Sequence, residues 1–192
     1  MLDSVISAGA GLLGAVIGAS ATLLTTWLNK KMQTSGKIAL YARIVHLPAA
    51  NNQTWGFFPN KEGKLYMQVP VWLDVCNTSG ISRIVRNVSL TALCKGKEIA
   101  TFLQIQRYDT TKFGEDESYT LIIPANSAKR YSLLFVLDEK EIEEENKDFD
   151  ELILTYFDEK DIIHSFHFAY VDTCWIIGAL PREKKWITLK EM

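Results

Sequence analysis

The chain has 192 residues, of which 47% are hydrophobic and 23% are charged, as in an ordinary globular protein. This composition excludes a disordered chain, a collagen-like repeat and a transporter with many membrane spans. The formal net charge of −2 gives no indication of binding to duplex nucleic acid. The charges are unevenly distributed, because Asp3 is the only charged residue within positions 1–28.

The first predicted element is a transmembrane helix over residues 1–29. Residues 4–28 carry no charge, and a helix of this length, at about 1.5 Å per residue, can cross the roughly 30 Å hydrocarbon core of a bilayer. A cleaved signal peptide would need basic residues before the run, and only Met1, Leu2 and Asp3 precede it. We therefore expect a retained membrane span rather than a signal peptide or a buried core helix.

The charges that flank this helix predict its orientation. Lys30 and Lys31 follow the uncharged run directly, and no basic residue precedes it. The positive-inside rule then places the N-terminus outside and the C-terminal domain in the cytoplasm. Three glycosylation sequons favour the opposite orientation, and they begin at Asn52, Asn77 and Asn87. The odd number of scattered cysteines agrees with the lysines, because it suits a reducing compartment.

The predicted helix has two different faces. At 100° per residue, small and hydroxyl-bearing residues share one stripe: Ser4, Ser7, Gly11, Gly14, Gly18, Thr22 and Thr25. Large apolar residues occupy the opposite side. Small residues at three- and four-residue spacing let helices approach closely, so the stripe predicts a homo-oligomer such as a tetramer. Two uses stay open: an anchor that only packs, or a ring of helices whose stripe lines a narrow pore.

Residues 30–36 are predicted to be a connector, and residues 37–180 a β-sandwich domain. Runs of strand-forming residues cover 38–47, 64–76, 84–94, 98–107, 119–123, 130–137, 152–157 and 162–171, and turn signals separate them. Short strands at this spacing predict a mainly β, Ig-like sandwich. Residues 139–147 are predicted to be a helix. Residues 173–180 are predicted to be a last strand, followed by a basic tail over 181–192.

No motif in the sequence predicts catalysis, a cofactor or a metal site. His164 and His167 are three residues apart, which on a strand sends them to opposite faces, so they cannot share a metal ion. The sequence has no Cys-x-x-Cys pair, phosphate-binding glycine loop or nucleophile elbow. We therefore expect a protein that is not an enzyme.

Basic and aromatic residues near turns are the candidates for ligand binding. They are Arg83, Arg86, Lys129, Arg130 and Trp55. Guanidinium groups that gather at one end of a sandwich suit phosphate groups, and an aromatic ring on a loop can stack on a ligand. The alternatives are scattered surface charge and a loop that folds back over the edge of the sandwich.

The run VWLDVCNTSGISRIVRNVSLTAL, residues 71–93, resembles a strand pair of Ig-like domains in small bacterial membrane proteins. With one N-terminal span, the layout is similar to membrane effectors of bacterial antiviral operons, such as Hailong-type and CRISPR-associated effectors. This resemblance implies an inner-membrane ion channel gated by a nucleotide messenger that a partner enzyme makes. The residues alone leave a second interpretation open: a membrane-anchored interaction or sensor module without a pore.

Overall fold

The computed structural model describes residues 2–47, 53–105, 119–142, 148–178, 180 and 186–191, with the backbone alone over residues 2–14, 33, 46–47, 53–54 and 190–191. The chain forms an N-terminal helix, α1 (Leu2–Thr34), followed by mainly β structure. The first strands are β1 (Ile38–Ile44), β2 (His46–Leu47), β3 (Gln53–Thr54), β4 (Gly56–Pro59), β5 (Leu65–Asn77), β6 (Arg83–Cys94) and β7 (Lys97–Thr101). The remaining strands are β8 (Leu103–Gln104), β9 (Tyr119–Ile123), β10 (Ser127–Asp138), β11 (Glu151–Phe157), β12 (Ile163–Tyr170) and β13 (Ile187–Glu191).

The longer strands form two antiparallel sheets. The first sheet has the order β13-β1-β5-β10-β8, and β4 pairs with the early part of β5. The second sheet has the order β12-β11-β6-β7, and β9 pairs with the early part of β6. A separate two-stranded ladder joins β2 and β3. The prediction of a mainly β fold is thus confirmed, and the two sheets are consistent with a β-sandwich.

Both sheets contribute alternate side chains to one hydrophobic core. In β5 the inward residues Val69, Leu73 and Val75 have no exposed surface, and in β11 Leu152 and Leu154 are equally buried. Alternation places successive side chains on opposite faces of a strand, so one face of each sheet is apolar. Full burial of such a side chain stabilises the fold by about 1.5–3 kcal/mol, which makes this shared core the main source of stability.

Two sequence predictions about the C-terminal part and the acidic segment are wrong. Residues 172–178 form turns instead of a strand, because Trp175 and Gly178 have φ angles of 56° and 77° that interrupt an extended chain. The last strand is β13, which lies within the predicted tail and pairs with β1. The predicted helix over 139–147 is a single 3₁₀ turn at Glu139–Glu141, and residues 143–147 lie outside the described part.

Helix α1 is 33 residues long and exposes large apolar side chains. These are Val16, Ile17, Leu23, Leu24, Trp27, Leu28 and Met32. None of the helical structure formed by the described residues has the length and hydrophobicity that a membrane crossing requires. The predicted run 4–28 includes residues 4–14, whose side chains lie outside the described part. The transmembrane assignment therefore stays a prediction.

Candidate functional site

The turn between β5 and β6 holds the C-terminal end of α1 against the β domain. A Cβ atom on Gly36 would lie 2.1 Å from the Cα of Ser79, so only glycine permits this close approach. The Lys37 amide donates to the Thr78 hydroxyl at 3.0 Å, and the Thr78 amide donates to the Lys37 carbonyl at 2.9 Å. We call this end of the domain, where the turns after β5, β9 and β11 lie, the helix-proximal end.

A buried asparagine organises the turn that contacts Gly36. The Asn77 side chain is 1% exposed, and its amide nitrogen lies within hydrogen-bond distance of the carbonyls of Ile81, Ile123 and Pro124. Its carbonyl oxygen accepts from the amide and the hydroxyl of Ser79 at 3.0 and 2.6 Å. This network satisfies a buried polar side chain and ties the β5–β6 turn to the β9–β10 turn.

Two of the predicted ligand-binding residues, Arg83 and Arg86, pair with acidic residues of one turn. Arg83 forms an ion pair with Glu159, and Arg86 forms one with Asp161. Both carboxylates belong to the turn between β11 and β12, so the two arginines fasten that turn to β6. The Arg83 Nε atom is buried and has no hydrogen-bond partner among the described residues.

The other two predicted basic residues lie on β10 in the first sheet. Arg130 makes a two-point contact with Asp74, Nε to Oδ1 at 2.6 Å and Nη2 to Oδ2 at 2.8 Å. The hydrogen bond and the charge of Asp74 raise the pKa of Arg130, although partial desolvation opposes them. Lys129 places its ammonium 4.9 Å from the ring centre of Tyr131. A depression of about 250 Å³ lies here, lined by Asp74, Val75, Cys76, Ala128, Lys129 and Arg130.

A cluster of arginine and tryptophan side chains that the sequence did not predict lies beside this depression. The Arg43 guanidinium is 4.8 Å from the Trp72 ring centre and 5.2 Å from that of Trp186. Arg130 lies 4.6 and 5.4 Å from the same two rings. Arg43 and Trp72 are directly opposite in register, so alternation along β1 and β5 could have revealed half of the cluster. Trp186 gave no such signal, because the pairing of β13 with β1 joins distant parts of the chain.

The structure places Trp55 in the core rather than with the basic residues. Trp55 is 6% exposed and its neighbour Phe57 is 1% exposed, with the Phe57 ring 5.1 Å from that of Trp175. The aromatic segment forms β4, and Gly56 pairs with Gln68 in the first half of β5. The segment is therefore a strand rather than the predicted loop, and the burial of Trp55 and Phe57 agrees with the alternative in which it folds back over the edge of the sandwich.

The predicted helix stripe is described only in part. Ser4, Ser7, Gly11 and Gly14 have side chains outside the described residues. Gly18 has open space where a Cβ would stand, and Thr22 and Thr25 donate to the carbonyls of Gly18 and Ala21 at 2.8 and 2.7 Å. The hydroxyl groups are thus satisfied within the helix, which leaves a surface of low polarity.

The two histidines of β12 occupy different environments, as their spacing predicts. His164 lies in the partly buried row and contacts Asp158 at 2.9 Å, whereas His167 is exposed and contacts Glu151 at 2.7 Å. Across the described part of the chain, no group of three or more candidate ligands is arranged to hold a metal ion. Comparisons with protein-family models, curated proteins and solved structures give no match to this chain.

Proposed function

We propose that the chain is a non-catalytic membrane effector that self-associates through α1 and forms an ion channel. In this proposal α1 is a single span, the C-terminal domain is an Ig-like β-sandwich in the cytoplasm, and a phosphate-bearing messenger controls opening. The observation that carries the proposal is the division of the helix into a small, hydroxyl-bearing stripe and a large apolar face. A helix surrounded only by lipid would not need this division.

The described part of α1 supports a helix that contacts apolar surroundings. Ser20, Thr22 and Thr26 each donate a hydroxyl hydrogen bond to a carbonyl four residues earlier, at 2.7–2.8 Å. Leu23 and Leu24 are 72% and 59% exposed, which is an unusual surface for contact with water. Internal hydrogen bonds lower the cost of placing the hydroxyls against another helix or along a narrow conduit.

The depression beside Arg130 supports control by an anionic ligand. A phosphate group can compete with the Asp74 carboxylate for the Arg130 guanidinium, because both offer a pair of oxygen atoms to the same fork. Cys76, which lines the depression, directly precedes Asn77, and Asn77 organises the turn that holds the end of α1. Ligand binding that favours one arrangement of this turn would shift the helix packing in the same direction.

A second candidate is an anchored interaction module without a pore. The ion pairs favour it, because Arg83, Arg86 and Arg130 each already contact a carboxylate. In this function the domain recruits a partner protein, and α1 only holds it at the membrane.

The experiment that tests the proposal replaces glycines of the stripe. Gly14→Leu and Gly18→Leu should abolish the oligomer, measured as mass in detergent, and the ion conductance of reconstituted liposomes. Val16→Leu, on the opposite face, should preserve both. A monomeric wild-type chain, or conductance that persists in the glycine variants, overturns the channel; an oligomer without conductance favours the anchored module.

A further inference from the structure

The helix-proximal end of the domain exposes a band of isoleucines. Ile84 and Ile122 are cross-strand neighbours with exposed fractions of 38% and 66%. Ile162 and Ile163 lie beyond the β11–β12 turn and are 52% and 55% exposed. Phe157 pairs with Ile163 on one side and with Arg86 on the other, so the β11–β12 turn and its ion pairs lie between the two isoleucine pairs. An apolar band with charged neighbours is typical of a docking surface.

Four acidic residues of this end, whose side chains the structure describes, contact basic side chains within the domain. Glu159 pairs with Arg83, Asp161 with Arg86, Asp158 with His164 and Asp74 with Arg130. Exposed lysines also lie at this end, and they include Lys30, Lys31, Lys129 and Lys160. The outward charge beside the isoleucine band is therefore positive.

The opposite end of the domain carries both signs of charge, with an acidic excess. β10 ends and β11 begins there, and the acidic residues beside them are Asp138, Glu139, Glu141, Asp148, Asp150 and Glu151. The lysines of the same end are Lys61, Lys64, Lys95, Lys97 and Lys140. Asp150 lies beside this end of β6, since its carboxylate accepts from the Lys95 amide at 3.1 Å. The strands thus separate a basic end, which adjoins α1, from an end of mixed charge with an acidic excess.

The connection between α1 and β1 is short and fixed. α1 ends at Thr34 and β1 begins at Ile38, so the Cα atoms of these two residues are at most about 14 Å apart even when the chain between them is fully extended. The contact of Gly36 with Ser79 and the hydrogen bonds between Lys37 and Thr78 hold this connection against the domain. The distance that the connection can span is therefore shorter still. If the end of α1 lies in the membrane interface, the basic end of the domain lies within reach of the lipid headgroups.

We propose that the helix-proximal end docks on an anionic bilayer surface, with the isoleucine band at the headgroup boundary and the lysines on lipid phosphates. This inference rests on the membrane insertion of α1 and adds a second contact, made by the domain itself. Lysines are attracted electrostatically to an anionic membrane surface, and burial of exposed apolar side chains at the headgroup boundary lowers the free energy of binding. A second copy suits this surface less well, because two basic ends would repel each other.

The test uses the full chain reconstituted in vesicles of mixed phosphatidylcholine and phosphatidylglycerol. A photoreactive benzoylphenylalanine replaces Ile122 or Ile163, and the same replacement of Leu103, 57% exposed on β8 away from this end, is the matched control. We expect lipid adducts at positions 122 and 163 and a background level at 103. Lys129→Gln with Lys160→Gln should lower the adduct yield, with each lysine contributing about fivefold in affinity.

Each result has a defined meaning. Alkaline carbonate extraction first establishes whether α1 is inserted; a chain that extracts as a peripheral protein overturns both the membrane effector and the docking surface. An inserted chain without lipid adducts at 122 and 163 overturns only the docking surface. Adducts between two chains at these positions also overturn it, because the band then joins copies of the protein. Equal yields with phosphatidylcholine alone contradict the role of the lysines in recognising anionic lipid.

Discussion

Asn77 shows how one side chain joins the helix end to the sheets. Its amide and carbonyl groups contact residues of the β5–β6 turn and of the β9–β10 turn while the side chain is buried. Any replacement would leave several of these polar groups without partners, at about 1–3 kcal/mol each. The sequon that begins at Asn77 therefore has a structural role, since its nitrogen is engaged within the fold. Asn87 is exposed and has a φ angle of 48°, and Asn52 lies outside the described residues.

Asp158 is the acidic residue with the most strongly altered ionisation. Burial acts to raise its pKa, but hydrogen bonds from His164 and from the amides of Ile162 and Lys160 outweigh burial and lower the pKa to about 2. All three donors lie 2.9 Å from the carboxylate. The ionised form therefore holds the β11–β12 turn closed. Burial and the charge of Asp158 in turn raise the pKa of Tyr156 to about 12.

The low pKa of Asp158 predicts a loss of stability in acid. The unfolded chain has the higher pKa, near 3.8, so protonation favours unfolding. The ionised Asp158 carboxylate stabilises the fold fully above about pH 4, and this stabilisation is lost as the pH falls through about 2. We expect it to contribute on the order of 1–2 kcal/mol to the free energy of unfolding. Asp158→Asn should remove this part of the acid dependence in urea unfolding at a series of pH values. Asp161→Asn, at an exposed position of the same turn, should retain it, and an unchanged slope in Asp158→Asn would contradict the assignment.

At the scale of elements, the junction of α1 with the β5–β6 turn connects the helix to the domain. Thr78 bonds both polar backbone groups of Lys37, and Ser79 lies against Gly36. Because this junction is short, the end of α1 must move when the β5–β6 turn moves. β13 forms the edge of the first sheet by pairing with β1, and Trp186, which precedes β13, lies beside Arg43 and Arg130.

Gly36→Ala should loosen this junction. The added Cβ atom meets backbone atoms of Thr78 and Ser79 at 2.1–2.5 Å, and these cannot move without shifting the turn. We expect a decrease of about 1–3 kcal/mol in the free energy of unfolding, together with faster proteolysis at residues 35–37. Ser35→Ala is the control, because it removes only a hydroxyl bond to the Met32 carbonyl at 2.9 Å. Equal stability of the two variants would show that the close approach is unimportant.

At the scale of the whole molecule, the apolar side chains of the core and those of α1 occupy two separate places, and the isoleucine band is a third. The core lies between the sheets, where residues such as Leu73 and Leu154 are fully buried. The second place is the surface of α1, where Leu23 and Leu24 are exposed. A domain whose core is complete without the helix should fold independently of what covers the helix.

This separation predicts that helix variants change association without changing domain stability. Leu23→Ser combined with Leu24→Ser should leave the free energy of unfolding of the domain within about 0.5 kcal/mol of the wild type. The same variant should reduce flotation with vesicles, because its helix is less apolar. Leu73→Ala is the control in the core and should cost about 2–5 kcal/mol. A large loss of domain stability in the helix variant would show that α1 packs against the sheets.

Much of the strand content could be predicted from local pattern, and much of the site could not. Alternation along β5 and β6 and the turn signals between strands are properties of neighbouring residues, so they predicted these strands to within one residue at each end. The basic residues Arg83, Arg86, Lys129 and Arg130 were identified as a group at turns, and all four lie at the helix-proximal end. The carboxylate partners of Arg83 and Arg130 could not be predicted, because Glu159 and Asp74 are each more than 50 residues away in the chain from the arginine that they contact.

Local residue patterns alone specify the alternation of the strands that form the two sheets, the position of the long helix and the two faces of that helix. These features follow from periodicity within a few residues. The burial of Trp55, the pairing of β13 with β1 and the acidic partners of Arg83, Arg86 and Arg130 emerge only in the folded chain. Such contacts depend on the register between distant strands, which no local pattern specifies.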